Sequence, residues 1–350
     1  MQIERFNSLI DDIIKNRISD LHFGTGEYPY IRNHVGDISP VVAFGKVTEV
    51  DMTNIIGYCM PKPFTEHTID TSYERNRTRF RVNISRVISG GITIAMRMIP
   101  SIIPEPESIW LPKHLLDLTI AEKGIVLITG PTGSGKSTTM AAMIEHINRN
   151  TQKHIITLED PVEFIYENKK SLIHQRELGK QYENFPDGIR SILREDPDVI
   201  VVGEMRDLDT IRAAVTLAET GHLVFSTLHT NDTVQTVDRI IQSFPPDEQA
   251  QIRMQFSLAL KAIVSQVLLP KADGTGLVVA REVMLNNDSI RNLIIRGETH
   301  HMYSILEISK QDGMILMDDA IIDLYKRKYV TRSVIEKYLH DKARLAMLTE

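Results

Sequence analysis

The stretch Gly130-Pro131-Thr132-Gly133-Ser134-Gly135-Lys136-Ser137-Thr138 holds the residues whose spacing points most directly to chemistry. It reads G-x-x-x-x-G-K-S, a turn in which backbone N–H groups converge on an anion. Gly130, Gly133 and Gly135 let that turn close tightly, with no Cβ between backbone and ligand. By the same pattern Lys136 reaches the β- and γ-phosphates of a nucleotide, and the Ser137 hydroxyl ligates Mg²⁺. Such a loop requires a buried strand before it and a helix N-terminus after it, whose dipole adds positive potential. Gly124-Ile125-Val126-Leu127-Ile128-Thr129 is an apolar, β-branched run, and Met140, Met143, Ile144 and Ile147 follow at helical spacing. The pattern predicts a nucleoside triphosphate site.

Acidic residues supply a second set. Asp198-Val199-Ile200-Val201-Val202 reads as a strand ending in Gly203-Glu204-Met205-Arg206-Asp207, the Walker B arrangement, with its carboxylate near Mg²⁺. His154-Ile155-Ile156-Thr157-Leu158 ends similarly in Glu159-Asp160-Pro161-Val162-Glu163. Carboxylates that close repel one another, so a cation or a spread of pKa values should accompany them, unless the turn is merely solvated. Either Glu163 or Glu204 positions and deprotonates the attacking water, and the other helps to hold Mg²⁺; spacing does not choose between them. A further strand, 223–227, is bracketed by His222 and His229, whose imidazoles suit γ-phosphate sensing or a structural role.

These groups need a scaffold. Strand-like segments at 124–129, 154–158, 198–202 and 223–227 alternate with helices at 137–149, about 186–195 and 208–220. That alternation predicts a parallel sheet with helices on both faces. Beyond residue 232 the chain reads as mostly helical, with one β-rich stretch at 277–285. Ahead of the alternation, residues 2–16 form an amphipathic helix through Ile3, Phe6, Ile10, Ile13 and Ile14. A strand at 19–23, a hairpin of 30–32 and 35–38 around Asn33-His34, and a helix at 50–60 stopped by Pro61 and Pro63 follow. From Thr78 to Ile99 apolar and polar residues alternate through a turn at Gly90-Gly91. Residues 1–99 thus form a small α+β domain, Pro100, Pro104, Pro106 and Pro112 mark a semi-rigid linker over 100–112, and 113–350 form the second domain. In the first domain Arg81 and Arg97 fall roughly opposite across a hairpin centred near Ser89. Like charges so placed are unfavourable, which implies an anion nearby unless both are solvated edge arginines.

Composition excludes several classes. With 42% hydrophobic and 25% charged residues the chain is an ordinary globular protein. A net charge of −6 argues against a nucleic-acid motor, which needs a basic face. One cysteine, Cys59, permits neither a disulfide framework nor a cysteine-rich zinc site. No signal peptide is evident, and no apolar run approaches the about 18 residues of a membrane span, so any membrane role comes through partners.

The loop 130–138, the aspartate box 156–164, the Walker B segment 198–207 and the histidine box 221–230 resemble type IV pilus retraction ATPases of the PilT class, within the secretion ATPase superfamily. Ser289-Ile290-Arg291-Asn292-Leu293-Ile294 is similar to a segment of those retraction ATPases. The resemblance covers nearly the whole chain. It implies an α/β fold with a PAS-like N-terminal domain and a RecA-like core, and a cytoplasmic homohexamer with ATP and Mg²⁺ at subunit boundaries. It further implies docking on an inner-membrane pilus platform protein at the cytoplasmic face, and no nucleic acid. It assigns Glu163 as base, Glu204 as Walker B acid, His229 to the catalytic set, and Arg81 and Arg97 to a neighbour's γ-phosphate. Departures are Ile295-Arg296 in place of Arg-Glu, and Ser226 where glycine is usual. Thr68 to Tyr73 and Leu111-Pro112 also resemble DotB-type ATPases of type IVB secretion, the alternative reading, whereas the tetracysteine motif of extension motors is absent. A nucleotide-binding regulatory subunit without turnover is the remaining alternative; the intact lysine, serine and acidic set argue against it.

Overall fold

The computed structural model describes residues 3–16, 18–32, 37–60, 64–76, 78–88, 90–99 and 102–348. The expected turn at Asn33-His34, the helix stop at Pro61 and Pro63, the hairpin centre at Ser89 and the proline at Pro100 lie outside them. The chain divides into two compact units, Met1–Ile102 and Ile103–Glu350.

The first unit sets two helices, α1 (Ile3–Lys15) and α2 (Glu49–Cys59), on an antiparallel sheet. Its strands are β1 (Asp20–Gly24), β2 (Tyr30–Arg32), β3 (Ile38–Pro40), β4 (Thr68–Arg75), β5 (Thr78–Arg86) and β6 (Ile92–Met98), in the order β3-β2-β1-β6-β5-β4. Period-2 alternation buries Phe80, Val82 and Ile84 of β5 with Phe6, Ile10 and Ile13 of α1 and Ile55 of α2. Thr48 and Asp51 cap α2 reciprocally. On the opposite face Arg81 pairs directly with Arg97, and Arg97 with Asp20. The expected anion is therefore a side chain: Arg97 Nε donates to Asp20 Oδ1 at 2.7 Å. Sequence reading missed β4, whose residues are mostly only half-buried on an edge and show no clean alternation.

In the second unit a short α3 (Lys113–Leu116) precedes β7 (Gly124–Thr129) and α4 (Lys136–Asn150). Then come β8 (His154–Glu159), β9 (Leu172–Glu177), α5 (Phe185–Ile192), β10 (Val199–Val202), α6 (Leu208–Glu219) and β11 (Leu223–Leu228). The rest is α7 (Thr233–Gln242), α8 (Gln249–Ala259), β12 (Leu260–Pro270), β13 (Leu277–Leu285), α9 (Asp288–Arg296), α10 (Met302–Ile308), α11 (Met317–Lys326) and α12 (Arg332–Tyr338). The sheet runs β13-β12-β7-β11-β10-β8-β9, parallel from β12 to β9, with β13 antiparallel at the edge. All of β7 is buried: Ile125 and Leu127 face α5 to α8, while Val126 and Ile128 face α4. Such two-sided burial is why the central strands read as continuous apolar runs.

Two strands correct the sequence reading. The segment Leu260–Pro270 is not helical but is β12, packed between β7 and β13. An apolar run buried on both faces lacks the alternation that separates strand from helix. The other, β9, carries polar residues toward solvent at the sheet edge, and its mixed burial hid it. No helix among the described residues is long and apolar enough to cross a membrane.

Candidate active site

Strand register decides where the chemistry collects. Val202 of β10 lies level with Leu158 of β8 and Ser226 of β11, and Ser226 lies level with Leu127 of β7. The carboxyl ends of these parallel strands therefore present the phosphate loop, the aspartate box, Gly203-Glu204 and His229 along one edge of the sheet, where such sheets bind ligands.

The loop is tightly braced. Gly130 has φ +136°, and a Cβ there would lie 2.3 Å from the Gln266 carbonyl of β12, so only glycine fits. Lys136 is 8% exposed, and its Nζ donates to the carbonyls of Gly130 at 2.9 Å and Pro131 at 3.1 Å. Burial pushes its pKa down, and Glu204, then Glu163, pull it back up. Both candidate carboxylates thus act electrostatically on the loop lysine. Pro131, Thr132 and Gly133 are exposed at the loop crest, Ser134 is buried beneath it, and Ser137 and Thr138 are half-buried on the first turn of α4.

Glu204 is held from both sides. Its Oε1 lies 3.2 Å from His229 Nε2 and its Oε2 2.8 Å from Arg206 Nη2. The backbone around it is fixed as well: Gly203 N–H donates to Leu158 O at 2.8 Å, and Met205 N–H to Thr227 O at 3.1 Å. Ser226, the departure noted in the sequence, has a local reason. Its hydroxyl is fully buried and donates to Val202 O at 2.6 Å, while Thr227 does the same to Gly203 O at 2.7 Å. Strand end and carboxylate are set together.

The three acids of the aspartate box separate into different environments. Glu159 is buried and accepts from Thr157 Oγ1 at 2.6 Å and Gln175 Nε2 at 3.2 Å; burial pushes its carboxyl above the ordinary range despite those bonds. Asp160 lies 3.7 Å from Arg206, and Glu163 is exposed. A cation, Arg206, and a raised pKa, set chiefly by burial of Glu159, accompany the trio. His222 does not join them. It stands at the amino end of β11, its Nδ1 against Leu217 O at 3.1 Å, and all 6 residues of the strand separate it from His229 at the carboxyl end, about 23 Å at a rise of about 3.3 Å per residue. Arg81 and Arg97 belong to the first unit, where Arg97 is ion-paired and the Arg81 side chain makes no hydrogen bond or ion pair among the described residues.

Sequence reasoning passed over Arg206 as a functional group, although it lay within the quoted Walker B segment. It also passed over Gln266 and Arg281, whose importance depends on pairing between β12 and β13. Beside the loop opens a pocket of about 200 Å³, lined by Ile109, Trp110, Gly135, Thr138, Leu277 and Arg281 among others. Its apolar and aromatic lining suits a planar heterocycle such as a nucleobase. The candidate donors for a metal, Ser137 and Glu204 with Glu163, offer hydroxyl and carboxylate oxygens, a chemistry that suits Mg²⁺. Among the described residues no cluster of three or more His, Cys, Asp or Glu could hold a metal. Mg²⁺ needs none, because nucleotide phosphates supply further ligands.

A glycine loop between β7 and α4, a Walker B carboxylate on the second strand away from β7, and a parallel sheet with helices on both faces define a RecA-like P-loop ATPase. The chain belongs to the type II/IV secretion system protein family, whose model matches residues 69–336. It is 40% identical over 322 residues to the type IV pilus retraction ATPase PilT of Pseudomonas aeruginosa, across 91% of this chain and 93% of that one. A crystal structure of the pilus retraction motor PilT with bound ADP matches with a TM-score of 0.90 at 39% identity, over 98% and 99% of the two chains. The ATPase DotB of Legionella pneumophila is more distant, with a TM-score of 0.79 at 27% identity over 95% and 94%.

Proposed function

We propose that this chain is a Mg²⁺-dependent ATPase motor that powers type IV pilus retraction as a homohexamer. The observation that carries the reading is the strand register that brings the phosphate loop, Gly203-Glu204 and the aspartate box to one edge of the parallel sheet, in a chain 40% identical to a retraction ATPase over 91% of its length. Lys136 and the loop amides hold the β- and γ-phosphates. Glu163, exposed at the site edge, takes the proton of the attacking water. Glu204 is aimed by Arg206 and His229, and with Ser137 would hold Mg²⁺. That ion, when bound, neutralises charge on the β- and γ-phosphates. Arg81, beside an Arg97 already paired with Asp20, acts on the nucleotide of a neighbouring subunit. The ring works at the cytoplasmic face of the inner membrane on a pilus platform protein.

The direct test is Lys136→Ala, which removes the full charge of the loop. Hydrolysis should be nearly abolished while the melting temperature holds; unaltered turnover would overturn the site. In cells, deletion of the gene should leave pili assembled but not withdrawn, with twitching lost. Loss of surface pili or of protein export would favour the DotB-like reading instead.

A further inference from the structure

Arg281 and Gln266 face each other in register across β13 and β12, and both reach the same hydroxyl on α4. Thr139 Oγ1 donates to Gln266 Oε1 at 3.0 Å and accepts from Arg281 Nη2 at 3.3 Å. Gln266 Nε2 passes the chain on to Ser134 O, inside the phosphate loop, at 2.7 Å. At the other end Arg281 Nη1 donates to Trp110 O at 2.9 Å and Nη2 to Ile109 O at 3.0 Å. An unbroken path of hydrogen bonds thus joins the 109–110 backbone to the loop. Its side chains are buried: Thr139 and Gln266 are 1% exposed and Arg281 8%.

Arg281 is unusual in two ways. Among the described residues it has no carboxylate partner, and its buried Nε finds no acceptor. A guanidinium without a counter-ion is costly to bury, and burial pushes this one down to about 10. It also lines the pocket beside Gly135 and Thr138, where Trp110 stands at the rim, 40% exposed, with its backbone in the left-handed region at φ +53°. One cation therefore sets both the pocket wall and, through two buried side chains, the loop floor.

We propose that Arg281 is a positioning residue for the nucleotide, acting through Thr139 and Gln266 on the phosphate loop and through the 109–110 carbonyls on the pocket wall. Filling the pocket is then felt at both ends of the path. The inference rests on the reading of the loop as an ATP site. The planar fork of Arg281 reaches the two carbonyls and the hydroxyl from two separate nitrogens, a spread that the single nitrogen of an ammonium does not reproduce.

The chain carries a single tryptophan, Trp110, so its emission reports on this pocket alone. ADP is titrated into the full-length protein, with calorimetry for affinity and tryptophan fluorescence for the wall. Wild-type emission should shift along the calorimetric isotherm. Thr139→Val, which cuts the path while keeping side-chain shape, should weaken ADP by about tenfold or more, the effect of leaving a buried group unpaired. It should also remove the emission change at saturating ADP, and Thr139→Ser should restore both. Arg281→Met should behave as Thr139→Val, and Arg281→Lys should not recover. Wild-type affinity in Thr139→Val or Arg281→Met overturns the proposal. So does weakened affinity with the emission change intact at saturation. If the wild-type protein itself fails to bind ADP, the ATP-site reading falls instead.

Discussion

Glu204 has His229 Nε2 3.2 Å from one oxygen and Arg206 Nη2 2.8 Å from the other, so its carboxylate is aimed from both sides. Glu163, by contrast, is exposed at the edge of the site. The two should separate on substitution. Glu163→Gln removes the base while leaving the Mg²⁺ side of the site, and should bind Mg·ATP well yet turn over about 10²–10⁴-fold more slowly. Glu204→Gln should slow hydrolysis similarly, but with a higher Mg²⁺ requirement in a metal titration. Wild-type turnover in either removes that residue from the catalytic set. Glu159 yields a prediction about pH. Its folded pKa is raised above 4.5 by burial, so the folded state holds a proton that the unfolded chain releases. Its contribution to stability is greatest below 4.5 and falls as pH rises towards the raised folded value. Relative to Glu159→Gln, the wild-type protein should lose up to about 1.4 kcal/mol per pH unit across that window in denaturant titrations. Parallel pH profiles for the two proteins would refute this.

At the scale of elements, β12 and α9 differ from what their sequences advertise. Ile263 of β12 is fully buried beside β7, so Ile263→Ala should cost about 2–5 kcal/mol and lower the denaturation midpoint of the second unit. A change under about 1 kcal/mol would mean that the site collapses around the gap. In α9 the Leu-Ile pair looks like an apolar docking face, yet Ile294 is 1% exposed and sits in the same core as Ile290. The exposed residues of α9 are Asp288, Ser289, Asn292, Ile295 and Arg296. Replacing Leu293 and Ile294 by Ala should therefore lower stability and ATPase activity together, rather than uncouple hydrolysis from pilus withdrawal. Normal turnover and melting in that double variant, with pili still not withdrawn, would instead assign the pair to docking on a partner.

At the scale of the molecule, the arginine row of the first unit awaits a function in the assembly. Arg97 is already neutralised by Asp20, whereas Arg81 is unpaired among the described residues. Arg81 is thus the better arginine to offer a neighbour, and an arginine supplied in trans can raise turnover by about 10³-fold or more. Arg81→Ala should bind ATP normally and hydrolyse it poorly. Mixed with Lys136→Ala subunits, it should regain part of the activity, because some boundaries then carry an intact lysine and an intact arginine. No regain in rings shown by mass spectrometry to be mixed would count against action in trans.

The sequence by itself determined what is local. The loop from Gly130 to Thr138 needs only a glycine spacing, one lysine, and a strand and helix at its flanks, and all are written contiguously. The strand ends carrying Glu159, Glu163, Glu204 and His229 were legible for the same reason, since each is an apolar run followed at once by its polar residue. What remained hidden depends on pairing between distant segments. The helix–strand ambiguity of 260–270 is resolved only because β7 and β13 flank it, burying both of its faces. His222 and His229 look equivalent in sequence, and only the direction of β11 puts one at the site and the other at the far end. Arg206 acquires a role only where the carboxyl ends of β8 and β10 set Asp160 and Glu204 within its reach. Gln266 and Arg281, fifteen residues apart in the chain, meet over Thr139 because a hairpin register aligns them. A buried cation without a carboxylate has no signature in sequence, because its cost and its use are both set by what surrounds it.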